Sequence, residues 1–389
     1  MQSSKTTIPF SVYRGGTSKG VFLPRTHLPA ERAALVPLLL EIFGSPDARQ
    51  IDGMGGGDKL TSKAAIMGAP TVPDADIDYL FGQVGIRHPE VDFNLNCGNL
   101  TAAAAAYAIH EGYVRTQGDR ATVRIHNVNT GRIIVATVPM HDGAVLEEGD
   151  FAIGGVPGTG APIDLDFHCA TGAITGRLLP LGAPLSRIEV PGHGPLQVSV
   201  VDGPNLIVLV AAEDLGMTGV ETPDEIDGNP GLTRLMQAIR ETVALLTGLG
   251  DYWYARAAPS TPMLIAVQAP RSYRAYTTGE LVDGRDVDLI CRQYSTSATS
   301  KALAATVSAA VGMACSVPGT LAARYVRGGG QGRIRLGHPC GTITVEAGAR
   351  AGQDAADTVI TRATLQRTAR RIARGELFVR NGMGGRSHA

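Results

Sequence analysis

The chain has 389 residues, 44% hydrophobic and 18% charged, with a net charge of −1 and 49 glycines. That length fits about two domains, and the near-balanced charge gives no electrostatic footprint for nucleic acid. No apolar run nears the ~20 residues of a membrane span, and residues 1–10 lack the apolar core of a signal peptide, so a cytoplasmic globular protein is expected.

The first notable run is Arg14-Gly15-Gly16-Thr17-Ser18-Lys19-Gly20, followed by a helical pattern over 28–43. Next comes Asp52-Gly53-Met54-Gly55-Gly56-Gly57, leading to Thr61-Ser62-Lys63. Bare backbone N–H groups beside hydroxyls and an amine make sites for carboxylate or phosphate. A nucleotide loop is excluded by spacing. Both a Walker A motif and a dinucleotide fingerprint counted from Gly53 require glycine where Asp58 stands.

Asn96-Cys97-Gly98-Asn99 then opens a helix of small residues over 99–110, with alanine unbroken from Ala102 to Ala106. A cysteine at a helix N-terminus feels the helix dipole, which favours the thiolate. Cys169, Cys291, Cys315 and Cys340 lack that setting and read as ordinary thiols, and five widely spaced cysteines make no disulfide framework or zinc knuckle. No histidines have metal-ligand spacing, so no metal is expected.

Short β-branched runs over 121–125 and 132–138 read as strands. A Gly/Pro-rich stretch over 172–194 marks a boundary, giving an N-terminal lobe of 1–185 and a C-terminal lobe of 186–389 whose last residues pack back on the first. Strands follow at 196–201, 205–210, 263–267, 332–336 and 341–345. Leu232, Leu235, Met236, Ile239, Val243 and Leu246 form one helical stripe behind Asn229-Pro230. A second small-residue helix is expected over 300–316, starting at Ser300-Lys301, and a further helix over 362–374. The two small-residue helices carry almost no charge, so each is expected buried within sheet, one per lobe.

Taken in order, Arg14 to Phe22, Gly44 to Asp47, Gln50 to Gly56, Thr61-Ser62-Lys63 and Asn96 to Asn99 closely resemble the PrpF family. That family includes 2-methylaconitate cis–trans isomerase, aconitate and methylitaconate isomerases, and oxalomesaconate tautomerases. The resemblance continues through Asp150 to Gly155, Thr175 to Pro180, Pro318-Gly319-Thr320, Gly337-His338-Pro339 and Arg367 to Arg371, nearly the whole chain. It implies an α+β, diaminopimelate-epimerase-like fold: two similar lobes, each a curved sheet round a central helix, with the active site in the cleft between them. It also implies an active-site lysine and cysteine, matched here by Lys63 and Cys97.

The activity so implied is a cofactor-independent isomerisation of small unsaturated di- or tricarboxylates, by 1,3-allylic proton transfer or cis–trans isomerisation, with 2-methylaconitate- or aconitate-type acids first. Oxalomesaconate tautomerase and methylitaconate isomerase are the alternatives. A non-catalytic carboxylate-binding protein, or an accessory protein to an aconitase-type dehydratase, is the reading of another class. An allylic shift needs a base, an acid and positive potential where charge accumulates. Lys63 and Cys97 can serve as the pair. Thr17, Ser18, Lys19, Gly55, Gly56, Gly57, Ser62, Asn96, Gly98 and Asn99, with Gly319 and Thr320 from the second lobe, are the expected carboxylate ligands. A homodimer is the assembly the resemblance implies.

Overall fold

In the computed structural model, which describes residues 6–380 apart from positions 95, 116 and 257, the N-terminal strands are buried on both faces. β1 (Thr6–Gly15) and β2 (Ser18–Pro24) form an antiparallel hairpin with Gly15 opposite Ser18. β2 runs parallel to β3 (Lys63–Gly68), and β3 antiparallel to β4 (Ile77–Val84). β4 runs parallel to β5 (Arg120–Asn127), which pairs with β6 (Arg132–His141).

The two-residue period of these strands sorts their side chains. Val21, Leu23, Ala64, Ile66, Leu80 and Val84 pack with Leu35, Leu39, Ile42 and Phe43 of helix α1 (Arg32–Phe43). On the opposite face, Tyr13 and Phe22 pack against Tyr107 of helix α2 (Gly98–His110), with the Phe22 and Tyr107 ring centroids 5.6 Å apart. Every α2 residue from Gly98 to Ala108 is buried. The alanine run explains this: methyl side chains let surrounding strands close in without displacing one another. Each large apolar side chain so buried contributes about 1.5–3 kcal/mol.

A second unit runs from Asp166 to Gln366, while the chain from Arg367 on belongs with the part up to Leu165. Here β7 (Ser186–Val190), β8 (Gly194–Asp202) and β9 (Leu206–Ala211) are antiparallel neighbours. β9 is parallel to β10 (Met263–Gln268), β10 antiparallel to β11 (Leu289–Ser295), and β11 parallel to β12 (Gly332–His338). β13 (Gly341–Arg350) and β14 (Val359–Arg367) complete the order. Helix α3 (Pro230–Leu246), capped by the Asn229 side chain, packs Met236, Ile239 and Val243 on Val198, Val200, Val208, Val210 and Leu264. The wholly buried helix α4 (Ala305–Ser316) lies against β9 and β13. Each unit therefore has one amphipathic or apolar cover helix and one enclosed small-residue helix.

Three expectations change. The stretch 172–184, expected in the first lobe, is tied into the second unit. The buried Asp202 carboxylate on β8 accepts from the Ile174 and Thr175 N–H groups at 3.0 and 2.6 Å, and Ser199 donates to the Pro184 carbonyl at 2.5 Å. The second small-residue helix starts at Ala305, not Ser300. Asp227 holds Thr299 at 2.7 Å, and Gln293 takes the N–H groups of Ser300 and Ala304, so 299–304 are committed to the end of β11 before the helix begins. Residues 362–374 form no helix. They lie in β14 and in the C-terminal strand Ala369–Val379, which pairs along β1 with Ala369 opposite Gly15. Strand pairing overrides the helix propensity of that Arg- and Ala-rich segment.

Candidate active site

The tip of the β1–β2 hairpin presses on the start of α2. A Cβ at Gly15 would run into the Asn99 carbonyl, and one at Gly16, whose φ is +51°, into the Asn99 side chain, so only glycine permits this approach. The approach lets the Asn99 Nδ2 donate to Thr17 Oγ1 at 2.9 Å and to Ser18 Oγ at 3.3 Å. Its Oδ1 accepts from Arg367 Nε at 3.0 Å. Burial pushes the Arg367 guanidinium down to about 10, which leaves it charged at neutral pH. Arg14 holds Thr368 through both carbonyl and hydroxyl, at 2.9 and 2.8 Å, fixing the Arg367 backbone beside the tip. Thr17, Ser18 and Asn99 thus form one polar cluster under a buried cation. The half-buried Lys19 is in register with Arg14, its N–H bonded to the Leu60 carbonyl.

The glycine loop has a different organiser. Gln50, 1% exposed and with a φ of +48°, donates to Ser45 Oγ at 2.8 Å. Its Oε1 accepts from the Gly57 N–H at 2.9 Å and from Ser62 Oγ at 2.6 Å. The Gly55 N–H goes to the Phe43 carbonyl. Gly55, Gly57 and Ser62, expected as carboxylate ligands, therefore spend those donors inside the loop. Gly56 is exposed, its Cα facing the Thr61 side chain. The loop's role is to bring the chain into β3 at Lys63.

Lys63, 8% exposed, opens β3 opposite Gln83. Its Nζ donates to Gln83 Oε1 at 2.6 Å and lies 5.0 Å from the centroid of the Phe81 ring. Gln83 Nε2 is itself anchored on the Ser62 carbonyl at 3.0 Å. Among the described residues no ion pair involves Lys63. A buried ammonium held by a neutral amide and a ring face is ready for an anion from outside.

Tyr79, Phe81 and Gln83 alternate along β4 and so share one face, opposite the face of Leu80 and Val84 that packs on α1. Lys63 lies at the Phe81–Gln83 end. Cys97, 8% exposed, lies near Tyr79: burial, and secondarily the Cys97 charge, hold that phenol well above its ordinary value. Cys97 is the N-cap of α2 and gives the first turn no side-chain cap. The N–H groups of Gly98 and Asn99 accordingly keep the donor character of a helix N-terminus. Asn96 Oδ1 accepts from Asn127 Nδ2 at 3.2 Å, and Asn127 stands opposite Tyr79 in the β4–β5 register. The lysine and cysteine are thus carried on elements bordering one face of β4.

In the second unit, the fully buried Thr320 hydroxyl donates to the Ala314 carbonyl at 2.6 Å and accepts from the Ala323 N–H at 3.1 Å. It closes the end of α4 and caps the next turn, so its side chain serves the helix ends. Gly319 (φ +88°) makes the turn before it, against Pro184. Burial pushes the Cys291 thiol up to about 12 and Cys315 well above its ordinary value, in keeping with inert roles. Among the described residues no group of three or more His, Cys, Asp or Glu side chains is arranged to hold a metal, and no helix is long and apolar enough to cross a membrane.

Four side chains that build the site were not singled out in the sequence. Gln50 and Arg367 stand within motifs shared with the PrpF family, which is the signal that marks them. Tyr79 and Gln83 lie on a strand buried on both faces, where no alternation of polar and apolar residues exists to expose them.

A sequence model of the PrpF protein family matches residues 5–380. The 3-methylitaconate isomerase of Eubacterium barkeri is 40% identical over 97% of this chain and 98% of its own. The 2-methyl-aconitate isomerase of Shewanella oneidensis is 39% identical over 94% of this chain and 95% of its own. The crystal structure of a methylitaconate-delta-isomerase superposes with a TM-score of 0.85 at 40% identity, over 99% of this chain and 100% of that one. A hydroxyproline epimerase from Agrobacterium vitis, at 12% identity and a TM-score of 0.54 over 97% of this chain and 94% of its own, shares the epimerase-like fold.

Proposed function

The chain belongs to the PrpF family of isomerases, and from that premise we propose that it moves an allylic proton on a small unsaturated di- or tricarboxylate, with Lys63 and Cys97 as the acid–base pair. The observation that carries this reading is the state of Lys63: nearly buried, bonded to the neutral Gln83 amide, and in no ion pair among the described residues. A substrate carboxylate supplies the missing counter-charge. Relatives at 40% and 39% identity are named for methylitaconate and 2-methyl-aconitate, two acids that share an allylic C–H beside a carboxylate.

The reaction has two halves. One of the pair accepts a proton from the allylic carbon, and the electron pair spreads through the double bond into a carboxylate. The other returns a proton at the far carbon, so the double bond shifts or re-forms with new geometry. No proton is gained or lost overall. The carbanionic state concentrates charge on carboxylate oxygens, where the first-turn N–H groups of α2, the hydroxyls of Thr17 and Ser18, and the Arg367 cation supply fixed positive potential. We assign 2-methylaconitate- or aconitate-type acids as the first substrates, with methylitaconate and oxalomesaconate as the alternatives.

The test is an assay of the purified chain against 2-methylaconitate, trans-aconitate, methylitaconate and oxalomesaconate, following the absorbance of the conjugated double bond. Turnover of at least one acid is expected. Saturable binding of these acids without turnover of any would identify a carboxylate-binding protein instead.

A further inference from the structure

Two buried hydrogen-bond donors beside Cys97 lack an acceptor. Tyr79 is fully buried, and its hydroxyl has no partner among the described residues. The same holds for Asn96 Nδ2, in a residue 7% exposed. Each such orphan costs about 1–3 kcal/mol, and native structures keep few of them. Both lie near Cys97 in the chain or the register, and neither is bonded to its sulfur here. Asn96 precedes Cys97 directly, its Oδ1 is tied to Asn127, and Asn127 pairs in register with Tyr79. At the other end of this face Gln83 of β4 and Lys63 of β3 bond each other.

We propose that Tyr79 is a positioning residue for Cys97, giving its phenolic hydrogen bond, together with that of Asn96 Nδ2, to the sulfur when Cys97 carries negative charge. The sulfur becomes an anion when the thiol hands its proton to substrate carbon, and regains a proton in the reverse sense. No bond of Tyr79 breaks in either step. Burial foremost, and negative charge on Cys97 second, hold the phenol well above its ordinary value, so it keeps a hydrogen to give. The inference rests on the reading of Cys97 as an acid–base thiol. It adds two side-chain donors to the charge stabilisation that the α2 N-terminus provides.

The test is the pH dependence of Cys97 alkylation by iodoacetamide in the full chain, resolved by peptide mass, since Cys169 is exposed and its sulfur lies 3.0 Å from His168 Nε2. In Tyr79→Phe the inflection should move up by about one pH unit, roughly a tenfold loss of thiolate at fixed pH. The same variant should melt at an equal or higher temperature, because it removes an unsatisfied buried hydroxyl. A merely structural tyrosine gives the reverse pattern. Asn96→Ala removes the Nδ2 donor without adding charge and should also raise the inflection. This second variant decides the matter if the first does not fold. An unchanged or lowered inflection in a folded variant overturns the proposal. Alkylation is read without substrate, so failure of every acid to turn over strikes the proposed reaction and leaves the Tyr79 result standing.

Discussion

Replacing Asn99 by Asp exchanges one NH2 for an oxygen in a side chain that bonds Thr17 at 2.9 Å, Ser18 at 3.3 Å and Arg367 at 3.0 Å. The Arg367 bond survives and gains charge. Hydroxyls can turn to donate, so Thr17 and Ser18 also keep their partner. Stability should therefore hold or rise. Binding should not. A carboxylate of substrate about 5 Å from the new charge meets a repulsion of about 3 kcal/mol at an effective dielectric of about 20, which is about two orders of magnitude in affinity. Asn99→Ala behaves oppositely. It removes an acceptor of a buried guanidinium, worth about 1.5–3 kcal/mol, and two neutral bonds of about 1 kcal/mol or less, so a loss of about 3–4 kcal/mol is expected. Thermal melting and the KM for an accepted acid separate the two. If Asn99→Asp melts as low as Asn99→Ala while KM stays at the wild-type value, Asn99 is a structural link only and the carboxylate site is wrongly assigned.

Lys63→Ala and Cys97→Ala should each fold and lower kcat/KM by about 10²–10⁴-fold, the usual share of a general acid or base; circular dichroism and turnover check both. Gln50→Ala releases Ser45, Gly57 and Ser62 together, so a loss of about 3 kcal/mol and faster proteolysis within 45–62 are expected. Burial foremost, and the Arg371 charge second, hold His110 below its ordinary value, and its Nδ1 lies 3.0 Å from the Tyr13 hydroxyl. The unfolded chain then binds this proton more readily, so its share of stability is full above about pH 6.5 and is lost as pH falls toward the folded value. Melting temperature against pH should accordingly fall less steeply below pH 6.5 in His110→Asn than in the wild type. Asp202→Ala strips the second unit of the acceptor for Ile174 and Thr175 and should free 172–184 to proteolysis.

Much of this fold is legible where one face of an element meets a different environment from the other. The stripe Leu232 to Leu246 and the cap at Asn229 locate α3, and the alanine run with Asn96-Cys97 locates α2. The helix expected at 362–374 shows the limit: its composition favours a helix, but its pairing partners, the preceding strand β13 and the distant β1 more than 350 residues back in the chain, decide for strand. The site divides the same way. Lys63, Cys97, Thr17, Ser18 and Asn99 stand in motifs that can be read directly. The Gly55–Gly57 donors look available in sequence because nothing there reveals that Gln50 claims the loop from within. Thr320 likewise looks like a free hydroxyl until the end of α4 is seen to need it.

The central claim is an allylic proton transfer run by Lys63 and Cys97. Its most direct test is proton NMR of an accepted acid turning over in D2O with wild-type, Lys63→Ala and Cys97→Ala proteins. The account predicts isomerisation with deuterium entering the allylic position for the wild type, and loss of both exchange and isomerisation in each variant. Undiminished exchange and isomerisation in either folded variant would contradict the role given to that residue, and no exchange by the wild type with any of the four acids would contradict the reaction itself.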